Sequence, residues 1–214
     1  AVVKVEVPAE WANIVVKEEE HTADAARPDF VKKIVDPINA LKGDLLPVSA
    51  FNGREDGTWD NGTAAYEKRG IAVNVPEWKI GNCIQCNQCA YVCPHAVIRP
   101  FLATEEEAAA SGVEWKQGLG ETKEYKFRIQ ISPMDCTGCS NCVDVCPAKD
   151  KALVMRPLEE QMPQQKNWDY ITKNIGYKQV VDKTKSVKNL QFAQPLFEFS
   201  GACAGCGETP YIKA

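Results

Sequence analysis

Ten cysteines stand in three tight groups, at 83/86/89/93, 136/139/142/146 and 203/206. The first two groups, "CIQCNQCAYVCPHA" (83–96) and "CTGCSNCVDVCPAK" (136–149), share one spacing, and in each a proline, Pro94 or Pro147, directly follows the last cysteine. A disulfide scaffold would scatter its cysteines along a short, loop-rich chain, whereas here long stretches between the groups have none. Cysteines three apart on a tight loop turn their sulfurs toward a common centre, which is metal chemistry.

The count within each group narrows the metal. Structural zinc takes pairs of ligands from two separated knuckles. A C-x2-C-x2-C-x3-C-P run instead wraps one corner of an iron–sulfur cubane with its first three cysteines and sends the fourth to another cluster, the pattern of bacterial ferredoxins. The two runs therefore predict two [4Fe–4S] clusters with crossed ligation. Cys83, Cys86, Cys89 and Cys146 hold one, and Cys136, Cys139, Cys142 and Cys93 hold the other. Cys203 and Cys206 form a single C-x2-C, which on spacing alone fits a redox dithiol, half a zinc knuckle or half a cluster site. Glycines at 201, 205 and 207 favour a loop over the helix start that a thioredoxin-like dithiol needs. Half a metal site is the reading, with its other ligands beyond residue 214.

Loops that wrap a cubane need small or flexible residues so that backbone N–H groups reach sulfur. Gly138, Ser140, Asn141, Asn87 and Ala90 qualify, and Ile84, Tyr91, Val92, Val97, Ile98, Val143 and Val145 supply apolar cover. His95 follows Cys93 and Pro94, but each cluster already has four thiolates, so it reads as structural.

The elements that must position these loops are short strands at 70–78, 96–102, 126–133 and 151–157, each rich in β-branched residues with a Pro or Gly boundary. Two precede a cysteine run and two follow one. The predicted fold is α+β, a duplicated bacterial-type two-[4Fe–4S] ferredoxin-like domain over 70–157 with flanking segments at 1–69 and 158–214. Between the copies "EEEAAAS" predicts a short helix, and the rest of the 104–125 insertion reads as solvated surface. "DFVKKIVDPINALKG" (29–43) has helical spacing interrupted at Pro37, with Gly43 as its stop, and "KEEEH" (17–21) reads as a solvated charged face. After 157, "LEEQMPQQKNWDYITKN" reads as a helix or ordered connector.

Composition sets the outer limits. In 214 residues, 44% hydrophobic and 25% charged content describes an ordinary globular chain. A net charge of -4 argues against a nucleic-acid partner. No apolar run suggests a membrane span and no secretory leader is visible, so the expected compartment is the cytoplasm. The start at "AVVKVEVP" without Met and the end just past a cysteine pair lead us to expect a segment of a longer chain.

Taken together, "RGIAVNVPEW", "CIQCNQCAYVCPHA", "CTGCSNCVDVCPAK" and "FEFSGACAGCGETPY" closely resemble pyruvate:ferredoxin (flavodoxin) oxidoreductases, best from about 70 to 214. The resemblance implies the two-cluster domain followed by the start of a thiamine-diphosphate domain. It implies an enzyme that decarboxylates pyruvate oxidatively, hands the acetyl group to coenzyme A and passes electrons singly through three [4Fe–4S] clusters to ferredoxin or flavodoxin. Cys203 and Cys206 would be half the ligands of the cluster nearest the thiamine. The parent would be a homo-oligomer carrying thiamine diphosphate and Mg, but no thiamine-binding G-D-G with its downstream Asn is present here. The segment is therefore expected to be a relay without catalytic residues of its own. A stand-alone two-cluster ferredoxin, or an oxidoreductase for another 2-oxoacid, is the alternative.

Overall fold

The computed structural model describes residues 3, 4, 6–13 and 27–213; the 17–21 run lies outside them. The chain divides into two compact units, Ala1–Trp59 and Asp60–Ala214.

In the first unit a π-helical turn, Val31–Val35, runs straight into helix α1, Asp36–Asn39, burying Val31, Ile34 and Val35. The expected interruption at Pro37 does not occur. Proline has no N–H to give the fourth carbonyl back and its ring crowds that carbonyl; the preceding turn widens instead, with the Asp36 N–H donating to the Val31 carbonyl. Nor does Gly43 stop the helix. The left-handed residue is Leu41, φ 58°. Its N–H bonds the Ile38 carbonyl and that of Lys42 bonds Pro37, the double bond of a Schellman end.

The second unit carries both cysteine runs, in mixed helix and strand. In chain order it contains β1 (Asn74–Trp78), α2 (Gln88–Tyr91), β2 (Ile98–Ala103), α3 (Glu105–Ala110), β3 (Lys116–Gln117), β4 (Lys126–Ile131), α4 (Asn141–Asp144) and β5 (Leu153–Pro157). After these come α5 (Leu158–Gln161), α6 (Pro163–Tyr170), α7 (Val187–Leu190) and α8 (Thr209–Lys213). The four longer strands fall where the β-branched runs predict them, α3 forms over the predicted "EEEAAAS", and the stretch after 157 is helical. Two antiparallel sheets result, β1–β5 and β2–β4–β3.

The pairing is crosswise. The strand before the first cysteine run, β1, pairs with the strand after the second, β5, in the register Trp78 to Leu153. The strand after the first run, β2, pairs with the strand before the second, β4, in the register Ile98 to Ile131. Alternation along β2 divides the core. Ile98 and Leu102 join Phe127, Ile129, Ile131 and Leu153 in the main cluster. Phe101 points the other way, against Trp168 and Ile171 of the α6 region. With both faces covered, every residue of β2 is buried.

The 104–125 insertion is not the free surface its composition suggests. A capping box starts α3, with the Glu107 N–H donating to Thr104 Oγ1 and the Thr104 N–H to Glu107 Oε2. Beyond it β3 adds an edge to the β2–β4 sheet, and Gln85, inside the first cysteine run, reaches it. Gln85 Nε2 donates to the Gln117 carbonyl (2.7 Å) and its Oε1 accepts from the Leu119 N–H (3.1 Å).

Candidate metal centre

Both cysteine loops turn by the same device. After Cys83 and Cys86 stand left-handed residues Gln85 (φ 59°) and Asn87 (φ 60°); after Cys136 and Cys139, at the same two places, stand Gly138 (φ 72°) and Ser140 (φ 66°). Each loop then enters a one-turn helix, α2 or α4, which carries the third cysteine, Cys89 or Cys142, inward to near-complete burial. The glycine has a steric reason beyond its φ. A Cβ on Gly138 would lie 2.9 Å from the Asn74 carbonyl oxygen of β1. Asn87 is buried, and its Nδ2 donates to the Lys188 carbonyl of α7 (3.0 Å).

These turns gather the thiols around two cavities. One is lined by Cys83, Cys86, Cys89 and Cys146, with Trp78, Ile129 and Leu153 behind them. The other is lined by Cys93, Cys136, Cys139 and Cys142, with Ile98, Ile131 and Met155. Each thus takes three cysteines from one run and the last from the other. The two lie side by side, because α2 and α4 pack against each other. Ile84, expected as cover, is 53% exposed and brings the first cavity to the surface.

Main-chain N–H groups point at three of the sulfurs. Cys93 Sγ accepts from Val97 (3.4 Å), Cys136 Sγ from Gly138 (3.4 Å) and Cys146 Sγ from Ala152 (3.3 Å). Burial pushes the Cys136 thiol up to about 12, against the pull of the Gly138 N–H and with added repulsion from Cys93 and Cys139. Burial likewise raises Cys89, helped by Cys83 and Cys86, and Cys142, helped by Cys93 and Cys89. Thiolates so placed need a cationic centre between them. Among the described residues no group of three or more His, Cys, Asp or Glu side chains is gathered to hold a metal ion. The thiols ring a space instead, and four sulfurs around a largely apolar cavity, with N–H donors on some of the sulfurs, fit a cubane better than a zinc point.

His95 is structural in this setting. It is buried, Nδ1 lies 2.9 Å from the Ser200 carbonyl oxygen, and its own carbonyl accepts from the Phe199 N–H. Ser200 Oγ in turn donates to the Pro94 carbonyl (3.0 Å). Arg99 of β2 pairs with Glu198 and lies over the rings of Trp168 and Phe199. The residues just after Cys93 thereby clamp residues 198–200 and aim the third motif. Cys203 and Cys206 lie on the expected loop and line neither cavity, Cys203 exposed. Gly205 between them sits against the second site, where a Cβ would lie 3.6 Å from Cys139 Cβ. The backbone N–H groups of Thr209 and Glu208 hold the Cys206 thiol below its ordinary range.

Sequence reasoning found all the thiols by count and spacing. It missed Gln85, because glutamine in a left-handed turn has no compositional signal, and it missed the lysines that reach the cysteine carbonyls from β3 and from the turn before β5.

Residues 82–149 match the 4Fe-4S dicluster domain family. This stretch is a 4Fe-4S dicluster domain. Residues 16–72 match a separate family, EKR, described as a domain of unknown function. The dicluster domain and its flanks are 50% identical, over all of this chain, to "Pyruvate-flavodoxin oxidoreductase" of Enterobacter agglomerans. They are 52% identical, again over the whole chain, to "Pyruvate:ferredoxin oxidoreductase" of Moorella thermoacetica. Identity to "Pyruvate dehydrogenase [NADP(+)], mitochondrial" of Euglena gracilis is 46% over 98% of the chain. The chain is homologous to one segment of these oxidoreductases, spanning 18% of the length of the first two and 11% of the third. Among the described residues no helix is long and apolar enough to cross a membrane.

Proposed function

We propose that this chain is the electron-transfer segment of a pyruvate:ferredoxin (flavodoxin) oxidoreductase, built as a duplicated two-cluster module over residues 70–157. Residues 1–69 would end the preceding domain, and 158–214 would connect to the start of a thiamine-diphosphate domain. The observation that carries this reading is the crosswise lining of the two cavities, each by three thiols of one run and the last thiol of the other. Cys83, Cys86, Cys89 and Cys146 would hold one [4Fe–4S] cluster; Cys93, Cys136, Cys139 and Cys142 would hold the second. Cys203 and Cys206 would supply half of a third, completed elsewhere in the parent. When bound, such a cluster supplies a one-electron donor and acceptor.

The chain's own residues set its path. Gly205 against Cys139 supports entry at the second site, the packing of α2 on α4 supports passage beside Cys142 and Cys89, and the exposed Ile84 supports exit from the first site to ferredoxin or flavodoxin. Oxidative decarboxylation of pyruvate, with thiamine diphosphate, Mg and coenzyme A, would belong to the rest of the parent enzyme. A stand-alone ferredoxin reading accounts for neither the clamp on residues 198–200 nor a similarity that runs over the whole of this chain and 18% of the relative.

The test is iron and acid-labile sulfide in anaerobically purified chain. About eight of each per chain are expected from two cubanes, together with bleaching by dithionite and reoxidation by a viologen. Two zinc ions per chain, or pyruvate-dependent reduction of the viologen by this segment alone, would overturn the reading.

A further inference from the structure

Two ammonium groups reach into the loops of one site. Lys116 leaves the edge strand β3, and its Nζ donates to the main-chain carbonyls of Ile80 (2.9 Å) and Cys83 (2.7 Å). Lys151, held in a left-handed turn at φ 40°, donates to the carbonyls of Asp144 (2.9 Å) and Cys146 (2.8 Å). Cys83 and Cys146 come from different runs, yet they line the same cavity. Each lysine thus seizes the backbone of one of its thiols, and among the described residues neither ammonium is in an ion pair. The second site instead adjoins a compensated ion pair. Asp135, next to Cys136, is paired with Lys68 and accepts from Ser132 Oγ.

This asymmetry has an electrochemical meaning. Reducing an iron–sulfur site adds one electron and one unit of negative charge, with no bond made or broken. A fixed positive charge nearby favours the reduced form, and a compensated pair such as Asp135–Lys68 shifts it far less. A carbonyl needs only a hydrogen-bond donor, so an ammonium at both places adds charge beyond what the fold requires.

We propose that Lys116 and Lys151 are redox-tuning residues, held by the carbonyls of Cys83 and Cys146 so that they raise the reduction potential of the cluster at that site above its neighbour's. Electrons would then fall from the Cys93/Cys136/Cys139/Cys142 site toward the Ile84 surface. The inference rests on the cluster reading above. Lys116 is half-buried and acts strongly; Lys151 is exposed, and salt screens it.

The experiment is a potentiometric titration of the full-length, cluster-loaded protein, followed by low-temperature electron paramagnetic resonance that resolves the two clusters. Lys116→Gln keeps a donor to the carbonyls and removes the charge. At a fixed solution potential it is expected to shift the oxidised-to-reduced ratio of one cluster about tenfold toward oxidised, equivalent to about 59 mV for a one-electron couple, and to leave the other cluster unmoved. Lys116→Arg is expected to titrate as wild type. Lys151→Gln is expected to shift the same cluster less, by an amount that fades as salt is raised. Unmoved midpoints in both Gln variants at low salt, or equal shifts of both clusters, would overturn the inference. Should Lys116→Gln fail to load iron, Lys151→Gln decides by the same criterion. Failure of the underlying cluster reading looks different, since the wild-type protein would then lack the two signals before any substitution is made.

Discussion

Ile98 lies directly opposite Ile131 in the β2–β4 ladder, five residues after Cys93 and five before Cys136. That register delivers the last thiol of the first run to the first thiol of the second. The β1–β5 ladder does the converse, since Trp78 opposite Leu153 brings Cys83 and Cys146 back together. Crossing of the thiols is therefore a property of strand pairing, and it persists wherever the ladders do.

Cys146→Ala is expected to abolish the cluster of Cys83, Cys86 and Cys89 and to spare the one whose first three thiols share its own run. Iron should fall by about half, and the resonance signal lost should be the one that Cys86→Ala also removes. Loss of the signal that Cys139→Ala removes would refute the crossing.

Removing iron under reducing conditions is expected to loosen the dicluster domain selectively. Five of the eight cysteines lining the two cavities, Cys89, Cys93, Cys136, Cys142 and Cys146, are at least nine-tenths buried, and a small domain that ligates metal depends on it for stability. Hydrogen exchange should rise most across α2 and α4. Native-like exchange there in the iron-free protein would count against the role given to the thiols.

Gly118→Ala should destabilise by about 3 kcal/mol through overpacking. A Cβ there would lie 2.1 Å from the Thr122 carbonyl oxygen, a backbone atom that cannot swing aside. A lower urea midpoint at unchanged slope is the readout. The same change at Gly112, where a Cβ meets nothing within 4 Å but φ is 66°, should cost only about 1 kcal/mol.

Glu107 supplies a pH-dependent increment. Burial acts to raise its carboxyl, but the hydrogen bond from Lys178 and then the Thr104 N–H outweigh it and hold the group below its ordinary value of 4.5. A carboxyl depressed in the folded state contributes stability that is complete above the unfolded value and is lost as pH falls through the folded one. The stability difference between wild type and Glu107→Gln should therefore be flat from pH 8 to about 5.5 and shrink below 4.5. A difference that grows on acidification would contradict the ion pair with Lys178.

What could be read from the sequence was whatever repeats or alternates. The eight thiols announced themselves by spacing, and β2 and β4 by β-branched runs; β1 begins only at Asn74, past Gly70, which sits at φ 60° with its N–H on the Met134 carbonyl. The insertion was opaque for the opposite reason. Gln85 and Lys116 hold it to the first loop through two hydrogen bonds each to main-chain atoms more than thirty residues away, and such bonds leave no periodicity. Pro37 misled because a π turn can absorb a proline that an α-helix cannot.

The crosswise lining also sets a timetable for the growing chain. Cys83 through Cys93 are made first, yet neither cavity has its four thiols until much later: the second is complete at Cys142, the first only at Cys146. Through the synthesis of some fifty residues the early thiols have no finished site to enter, and then both sites close within four residues of each other. A nascent chain halted anywhere in the 104–125 insertion therefore presents four cysteines and neither complete ring of thiols.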